Sequence, residues 1–393
     1  MTKQKRNAAL GFVGLLALSV YILACTSFSP DDTKVLYPSF DPASGAIGMA
    51  VYDRESGGSE MLFVPVAYEF KGTNPVVAVS ILRAQWLANG RDVMIAGAAP
   101  DAEDKDALTV AVVPWNVRKP IKTFRVPDVK DMAQSLVSPL CVAGERLFFR
   151  TSGKALGRLD LRTGALVGHE FADAKGDLSF YPAPDGAGVF YFETDKSGGE
   201  PILFGTLNPE DFSRAPLMVV TNRMDDMTTV AYDMGGKTLA MLTGGDNKAA
   251  LQVWREGKLV FSRAVGSQGK DITFGNAILA ANGKAIRATY RRATGTNTVS
   301  YGLMEIPFSE APPRENTLIK DAAAGDKADV FYFQAGISHD GKTAAISSAY
   351  LAFSDEGFKP ADCALFFVDL GSADWKVTKV PIPMPAKRLG KLN

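Results

Sequence analysis

The sequence predicts an all-β fold built from repeated four-stranded units. Three observations carry the prediction: a tight-turn signal that recurs at a nearly constant interval, a short apolar strand after each copy, and further strands before the next. The clearest copy spans residues 337–348, Ile-Ser-His-Asp-Gly-Lys-Thr-Ala-Ala-Ile-Ser-Ser. Asp340-Gly341 tolerates positive φ, and the flanks, 331–337 and 343–348, are short, apolar and rich in small or β-branched residues. That pattern is a hairpin joining the first two strands of a unit.

Analogous turns stand at Ser44-Gly45, Asn89-Gly90, Ala143-Gly144, Asp185-Gly186, Gly235-Gly236 and Asn282-Gly283. Their glycines lie 45, 54, 42, 50, 47 and 58 residues apart, ending at Gly341. The second strands follow at 47–52, 93–96, 147–150, 189–193, 238–243, 285–290 and 343–348, and the third at 61–65, 108–114, 156–161, 202–207, 251–254, 299–306 and 364–370. A fourth, more polar strand is visible at 122–126, 217–221, 259–264 and 375–380, as suits an outer edge that must not pair with other sheets. Seven such units match radially packed sheets around a channel, a β-propeller of seven four-stranded blades, with six or eight as the alternative counts. Residues 340–348 and the copy at 232–240 resemble the repeats of the TolB and WD40-like propellers. The other five copies keep the glycine and the strand but little else of that consensus.

The N-terminus has a separate logic. Lys3, Lys5 and Arg6 precede an apolar run at 8–24, and Ile22-Leu23-Ala24-Cys25 closes it. Positive flank, apolar core and small residue are the parts of an export signal. The closing tetrapeptide resembles the lipobox of bacterial lipoproteins, which implies lipidation at Cys25 and a body outside the cytoplasm. The alternative is an uncleaved anchor helix, since 17 residues reach about 25 Å as a helix, marginal for a bilayer. The domain plan is therefore a signal peptide or anchor at 1–25, a tether at 26–34, the propeller at 35–382 and a basic tail at 383–393.

Composition narrows the chemistry. Lys plus Arg equals Asp plus Glu at 43 each, so nothing in the overall charge steers the chain to nucleic acid. Two histidines and three cysteines are too few for a zinc or iron–sulfur site, and no cofactor is called for. Gly336 to Thr343 satisfies the phosphate-loop pattern, but a strand rather than a helix should follow it. No Gly-x-Ser-x-Gly occurs, and His169 and His339 read as a solvated outer-strand residue and a turn residue. Asp101, Glu103, Asp104 and Asp106 lack the glycine and terminal glutamate of a calcium loop. Cys141 and Cys363 fall in non-neighbouring units, so both should be free and buried.

What remains is a binding surface. The loops between second and third strands should share one face and carry Asp53, Glu55 and Glu60, the 101–106 cluster, Asp195 and Glu200, and Asp355, Glu356 and Asp362, with Arg291 and Arg292 as the basic exception. The longest, 349–361, holds Tyr350, Phe353 and Phe358. Aromatic anchors beside charge suit recognition of a protein; the competing role for these aromatics is to seal the last unit against the first. The sequence thus points to a membrane-tethered, extracytoplasmic binding or scaffold protein for another envelope protein or a glycan. A glycan-processing hydrolase or lyase on the same scaffold, and a structural subunit of a membrane assembly, are the alternatives.

Overall fold

The computed structural model describes residues 26–41, 47–63, 80–98, 108–126, 140–183, 186, 188–194, 202–220, 227–243, 249–265, 272–323, 328–354 and 357–383. Among them there is no helix, and seven antiparallel sheets of four strands follow one another along the chain. Sheet 1 holds β1 (Ser27–Phe28), β2 (Lys34–Phe40), β3 (Ile47–Asp53) and β4 (Ser59–Phe63); sheet 2 holds β5 (Ser80–Trp86), β6 (Asp92–Ala98), β7 (Leu108–Pro114) and β8 (Lys122–Val126). Sheet 3 is β9 (Cys141–Ala143), β10 (Arg146–Ser152), β11 (Ala155–Asp160) and β12 (Leu166–Glu170); sheet 4 is β13 (Asp177–Pro182), β14 (Val189–Thr194), β15 (Ile202–Leu207) and β16 (Arg214–Val220). Sheet 5 comprises β17 (Met227–Tyr232), β18 (Thr238–Thr243), β19 (Ala250–Arg255) and β20 (Lys258–Ala264), and sheet 6 comprises β21 (Ile272–Leu279), β22 (Ala285–Gly295), β23 (Thr298–Pro307) and β24 (Arg314–Ala323). Sheet 7 closes the series with β25 (Ala328–Ile337), β26 (Thr343–Ser354), β27 (Gly357–Asp369) and β28 (Val377–Pro381). Sequential strands are neighbours throughout, so the predicted class, seven four-stranded blades, is the observed one.

The chain divides into two compact units, residues 1–129 with 323–393, and residues 130–322. Within the second, the middle strands are apolar on both faces for a reason visible in β14. Its alternate residues Val189 and Tyr191 enter the cluster with Cys141, Phe148 and Phe180, while Phe190 and Phe192 enter the one with Leu239, Met241 and Trp254. A strand covered by a sheet on each side loses the hydrophobic–polar alternation of a half-exposed one. Each such side chain contributes about 1.5–3 kcal/mol when fully buried. The first unit repeats the scheme: Val51, Leu62, Trp86 and Val113 pack between sheets 1 and 2, and Phe28, Val35, Tyr37, Ala345 and Leu365 between sheets 1 and 7.

The structure corrects the reading of the first repeat. Ser44-Gly45 falls outside the described residues, between β2 and β3, so it belongs to the second connection of sheet 1 and not to the first hairpin. That hairpin is made by Ser29–Thr33, inside the stretch expected as a tether. Its bonding duplicates the turn at Ser338–Lys342. Ser29 Oγ donates to Asp31 Oδ1 at 2.6 Å and Ser338 Oγ to Asp340 Oδ1 at 2.6 Å. The Lys34 and Thr343 amides donate to the two serine hydroxyls, both at 2.9 Å. Asp32, at φ 59°, takes the left-handed position that Gly341 holds at φ 69°. Aspartate tolerates this conformation better than most side chains, which is why no glycine marks the turn. Consequently Asp53, Glu55 and Glu60 flank the connection from β3 to β4, on the same end of the unit as these hairpins and not on the opposite face.

The outer edges also differ from expectation. Leu217 and Val219 on β16, and Leu259 and Val260 on β20, are exposed apolar residues rather than charges. In β16 the edge is blunted instead by Pro216 and by a bulge at Leu217, which has no opposite number between the pairs Phe204–Met218 and Gly205–Pro216.

Candidate functional site

Sheet 7 is built unlike sheets 1–5, whose described strands never exceed 7 residues. Its β26 and β27 have 12 and 13 residues. The segment expected as a long loop at 349–361 is thus mostly hairpin: Tyr350 pairs with Asp362, Leu351 with Pro360, Phe353 with Phe358 and Ser354 with Gly357. Aromatic and apolar residues before Asp355-Glu356-Gly357 are a strand-and-turn signal, so the hairpin was readable from sequence. Ala361 has no opposite number and forms a bulge between Tyr350 and Leu351. On the other side β25 follows β26 as far as the pair Ala328 and Ala352. The outer strand β28 accompanies β27 only over Ala364–Val368. A three-stranded flap therefore extends beyond the fourth strand.

Lys359, Pro360 and the bulge sit along the edge of β27 that β28 leaves uncovered, devices that discourage strand addition. The Tyr350 hydroxyl donates to the Ala323 carbonyl at 3.3 Å, and Asp362 is paired with Lys379 at 2.8 Å. Asp355 and Glu356 lie outside the described residues.

Arg291 and Arg292 are in β22, in the other compact unit, and belong to a second long hairpin, with 11 residues in β22 and 10 in β23. Arg292 is committed locally. It grips Glu315 with both guanidinium nitrogens, at 3.0 and 2.7 Å, and lies 5.0 Å from the centre of the Tyr290 ring. The hydrogen bond that Arg292 donates to Glu315 makes the guanidinium hold its proton more firmly than usual, despite partial burial. The predicted site residues thus fall into two groups in separate units, and the acidic clusters at 101–106, Asp195 and Glu200 lie outside the described residues.

Two arrangements were missed by sequence reasoning. A cavity of about 180 Å³ in the first unit is lined by Val51, Asp53, Ser56, Glu60, Met61, Trp115 and Arg118. Its polar groups satisfy one another: Arg118 pairs with Glu60 at 2.5 Å, Lys34 with Asp53 at 3.4 Å, and the Lys34 ammonium covers the Trp115 ring at 4.7 Å. In the second unit Arg214 joins Asp173 at 2.6 Å and the buried Glu193 at 2.8 Å, above the Tyr191 and Phe171 rings. Burial works against the charge of Arg214, but the two carboxylates more than offset it. His169 is not simply solvated. It stacks on Phe212 at 5.0 Å and meets the edge of Phe171 at 4.6 Å. These are packing and pairing arrangements, and sequence spacing across sheets gives no signal for them.

Among the described residues no three His, Cys, Asp or Glu side chains gather to hold a metal ion. The phosphate-loop pattern at Gly336 runs from β25 through a turn into β26, with no helix to receive an anion. Neither Cys141 nor Cys363 is in a disulfide and both are buried, as expected, and burial pushes the Cys363 thiol up to about 12. No described helix is long and apolar enough to cross a membrane; residues 8–24 and Cys25 lie outside the described residues.

Comparison with known proteins defines the class. No protein-family model and no curated protein matches the chain. It is similar in structure to KlAtg21, solved in complex with the coiled-coil of AgAtg16, with a TM-score of 0.54 and 10% identity over 93% of this chain and 99% of that one. KlHsv2 with its loop 6CD replaced by a Gly-Ser linker gives 0.48 and 10% identity over 87% of this chain and 98% of that one. At such identity the first likeness is one of fold, and it agrees with the seven four-stranded sheets of a β-propeller.

Proposed function

We propose that this chain is a non-catalytic scaffold that holds another protein of the cell envelope through the β25–β27 flap, and that it is attached to the membrane by its N-terminus, lipidated at Cys25. The carrying observation is the flap: strands of 12 and 13 residues that outrun their own fourth strand, with Tyr350, Phe353 and Phe358 in them. Structure built beyond what the sheet needs for closure is available for contact, and aromatic residues supply most of the energy in such contacts. KlAtg21, of similar fold, is in complex with a coiled-coil, which supports a protein as the partner. The export signal and Ile22-Leu23-Ala24-Cys25 support the attachment and the extracytoplasmic location.

Affinity capture from membranes in mild detergent, with the partner identified and then purified, tests the binding role. Phe353→Ser and Phe358→Ser should weaken the purified pair at least about tenfold while leaving the thermal midpoint nearly unchanged. Unaltered affinity with a midpoint several degrees lower would assign these aromatics to sealing the fold instead.

A further inference from the structure

The outer edge of sheet 3 is built unlike the others. Of the described fourth strands, β4, β16 and β20 each carry a bulge, at Leu62, Leu217 and Val260, and β8, β24 and β28 carry Lys122, Lys320 and Lys379. Bulges and lysines keep an open edge from pairing with another chain. β12 has neither. It pairs with β11 in unbroken register, from Leu159 opposite Leu166 to Ala155 opposite Glu170. Leu166 and Val167 are 47% and 38% exposed, and the charge of the strand, Glu170, stands at its end.

The phase of the hydrogen bonds fixes which groups this edge presents. The Phe171 amide donates to the Lys154 carbonyl at 2.8 Å and the Asp160 amide to the Ala165 carbonyl at 2.9 Å, so both are hydrogen-bonded pairs of the antiparallel ladder. Alternation between them makes Val167 and His169 the residues that bond to β11. Leu166, Gly168 and Glu170 therefore aim their N–H and C=O groups out of the sheet. At their centre stands a glycine that its own chain does not explain: Gly168 is not at positive φ, β12 has no bulge, and a Cβ there would meet nothing within 4 Å. A strand-interior glycine without such a cause marks a place where another backbone comes close.

The outward residues form a self-complementary set about Gly168. Set antiparallel across a two-fold axis at that glycine, Leu166 faces Glu170 of a second copy, Gly168 faces Gly168, and each facing pair exchanges both of its N–H···O bonds. Every outward group is then satisfied. The two Glu170 carboxylates end up four residues apart, roughly 13 Å, which exceeds the screening length of about 8 Å at physiological salt. Other registers are worse. A slip of two residues one way makes the carboxylates diagonal neighbours at about 7–8 Å and leaves Leu166 unpaired. The opposite slip sets Glu170 against Gly164, which is in the turn at φ 79°.

We propose that β12 is a homodimerisation edge, pairing with β12 of a second copy about a two-fold axis at Gly168 and joining the two four-stranded sheets into one. This is independent of the flap and of the N-terminal attachment. Five paired residues bury less than the roughly 1,200 Å² at which standard interfaces begin, so the dimer is weak, with a Kd on the order of tens of micromolar.

Sedimentation equilibrium of the full-length chain in density-matched detergent, from about 5 to about 200 µM, should show monomer and dimer in exchange. Leu166→Lys, which gives β12 the charge that other edges carry, should weaken the dimer at least about tenfold. A chain that is monomeric at about 200 µM, or a dimer indifferent to Leu166→Lys, overturns the proposal. Cross-linking reads the register separately. Facing residues of a hydrogen-bonded pair lie about 5.5 Å apart between Cα atoms, within reach of a disulfide. Gly168→Cys should therefore form a 168–168 disulfide between copies under mild oxidation with diamide, located by peptide mass spectrometry. Glu170→Cys, roughly 13 Å from its counterpart, should form at most about one tenth as much. Equal yields at the two positions, or none from Gly168→Cys, overturn the pairing.

Discussion

Asp32 shows how much one side chain does in this fold. It occupies a left-handed position that glycine fills in the equivalent turn, and its carboxylate caps the neighbouring turn at His339 and Asp340. Asp32→Gly should lose the clasp alone, about 1–2 kcal/mol, while Asp32→Ala should cost about 1 kcal/mol more because alanine is strained at positive φ. Denaturation midpoints of the two variants decide the order. Two glycines make a parallel comparison. A Cβ on Gly236 would sit 2.3 Å from Leu217 Cδ1 and 2.9 Å from the Phe190 ring, whereas one on Gly144, also at positive φ, meets nothing within 4 Å. Gly236→Ala should therefore destabilise more than Gly144→Ala by at least about 1 kcal/mol, read in the same denaturation experiment. The thiols give a chemical check. With Cys363 pushed up to about 12 and Cys141 fully buried, neither should alkylate at neutral pH until the chain unfolds.

At the scale of elements, the hairpin turns carry a pH signature. Hydrogen bonds from Ser29 to Asp31 and from Ser338 to Asp340 hold both carboxyls below their ordinary value of 3.8. A carboxylate depressed by folding contributes stability that is complete above its unfolded value and drains as pH falls through the folded one. Urea midpoints should therefore fall below about pH 4, and Asp31→Asn with Asp340→Asn should flatten that acid limb. Six of the first hairpins were legible because a glycine marked them. The one at Ser29–Thr33 was not, because Asp32 replaces glycine and the turn is written in hydroxyl and carboxylate side chains instead. The pattern Ser-x-Asp, shared by residues 29–31 and 338–340, was the available signal. The flap was misread for another reason: its length suggested a loop, although aromatic residues flanking a turn indicate strands. The pairs that lock Arg214 and Arg292 join residues 21 to 41 positions apart across strands, beyond any local pattern.

For the molecule as a whole, a repeat period near 49 residues was enough to predict the blades, because it is a property of the entire chain. The functional surface was less legible, since whether separate segments converge is decided by packing and not by spacing. The N-terminal attachment is testable at this scale: Cys25→Ser should release the protein or leave it uncleaved, and intact-mass spectrometry should show a diacylated Cys25 only in the unaltered chain. An unchanged mass with unchanged membrane retention would make the apolar run at 8–24 the anchor.

The central claim, that the flap of sheet 7 is the binding element of a propeller scaffold, is tested most directly by shortening it. Joining Tyr350 to Asp362 through Asn-Gly removes the outer rungs and leaves the part of β27 that β28 covers. Affinity for the purified partner should fall at least about a hundredfold with a thermal midpoint within about 4 °C of the parent. Full affinity in the shortened chain would contradict the account.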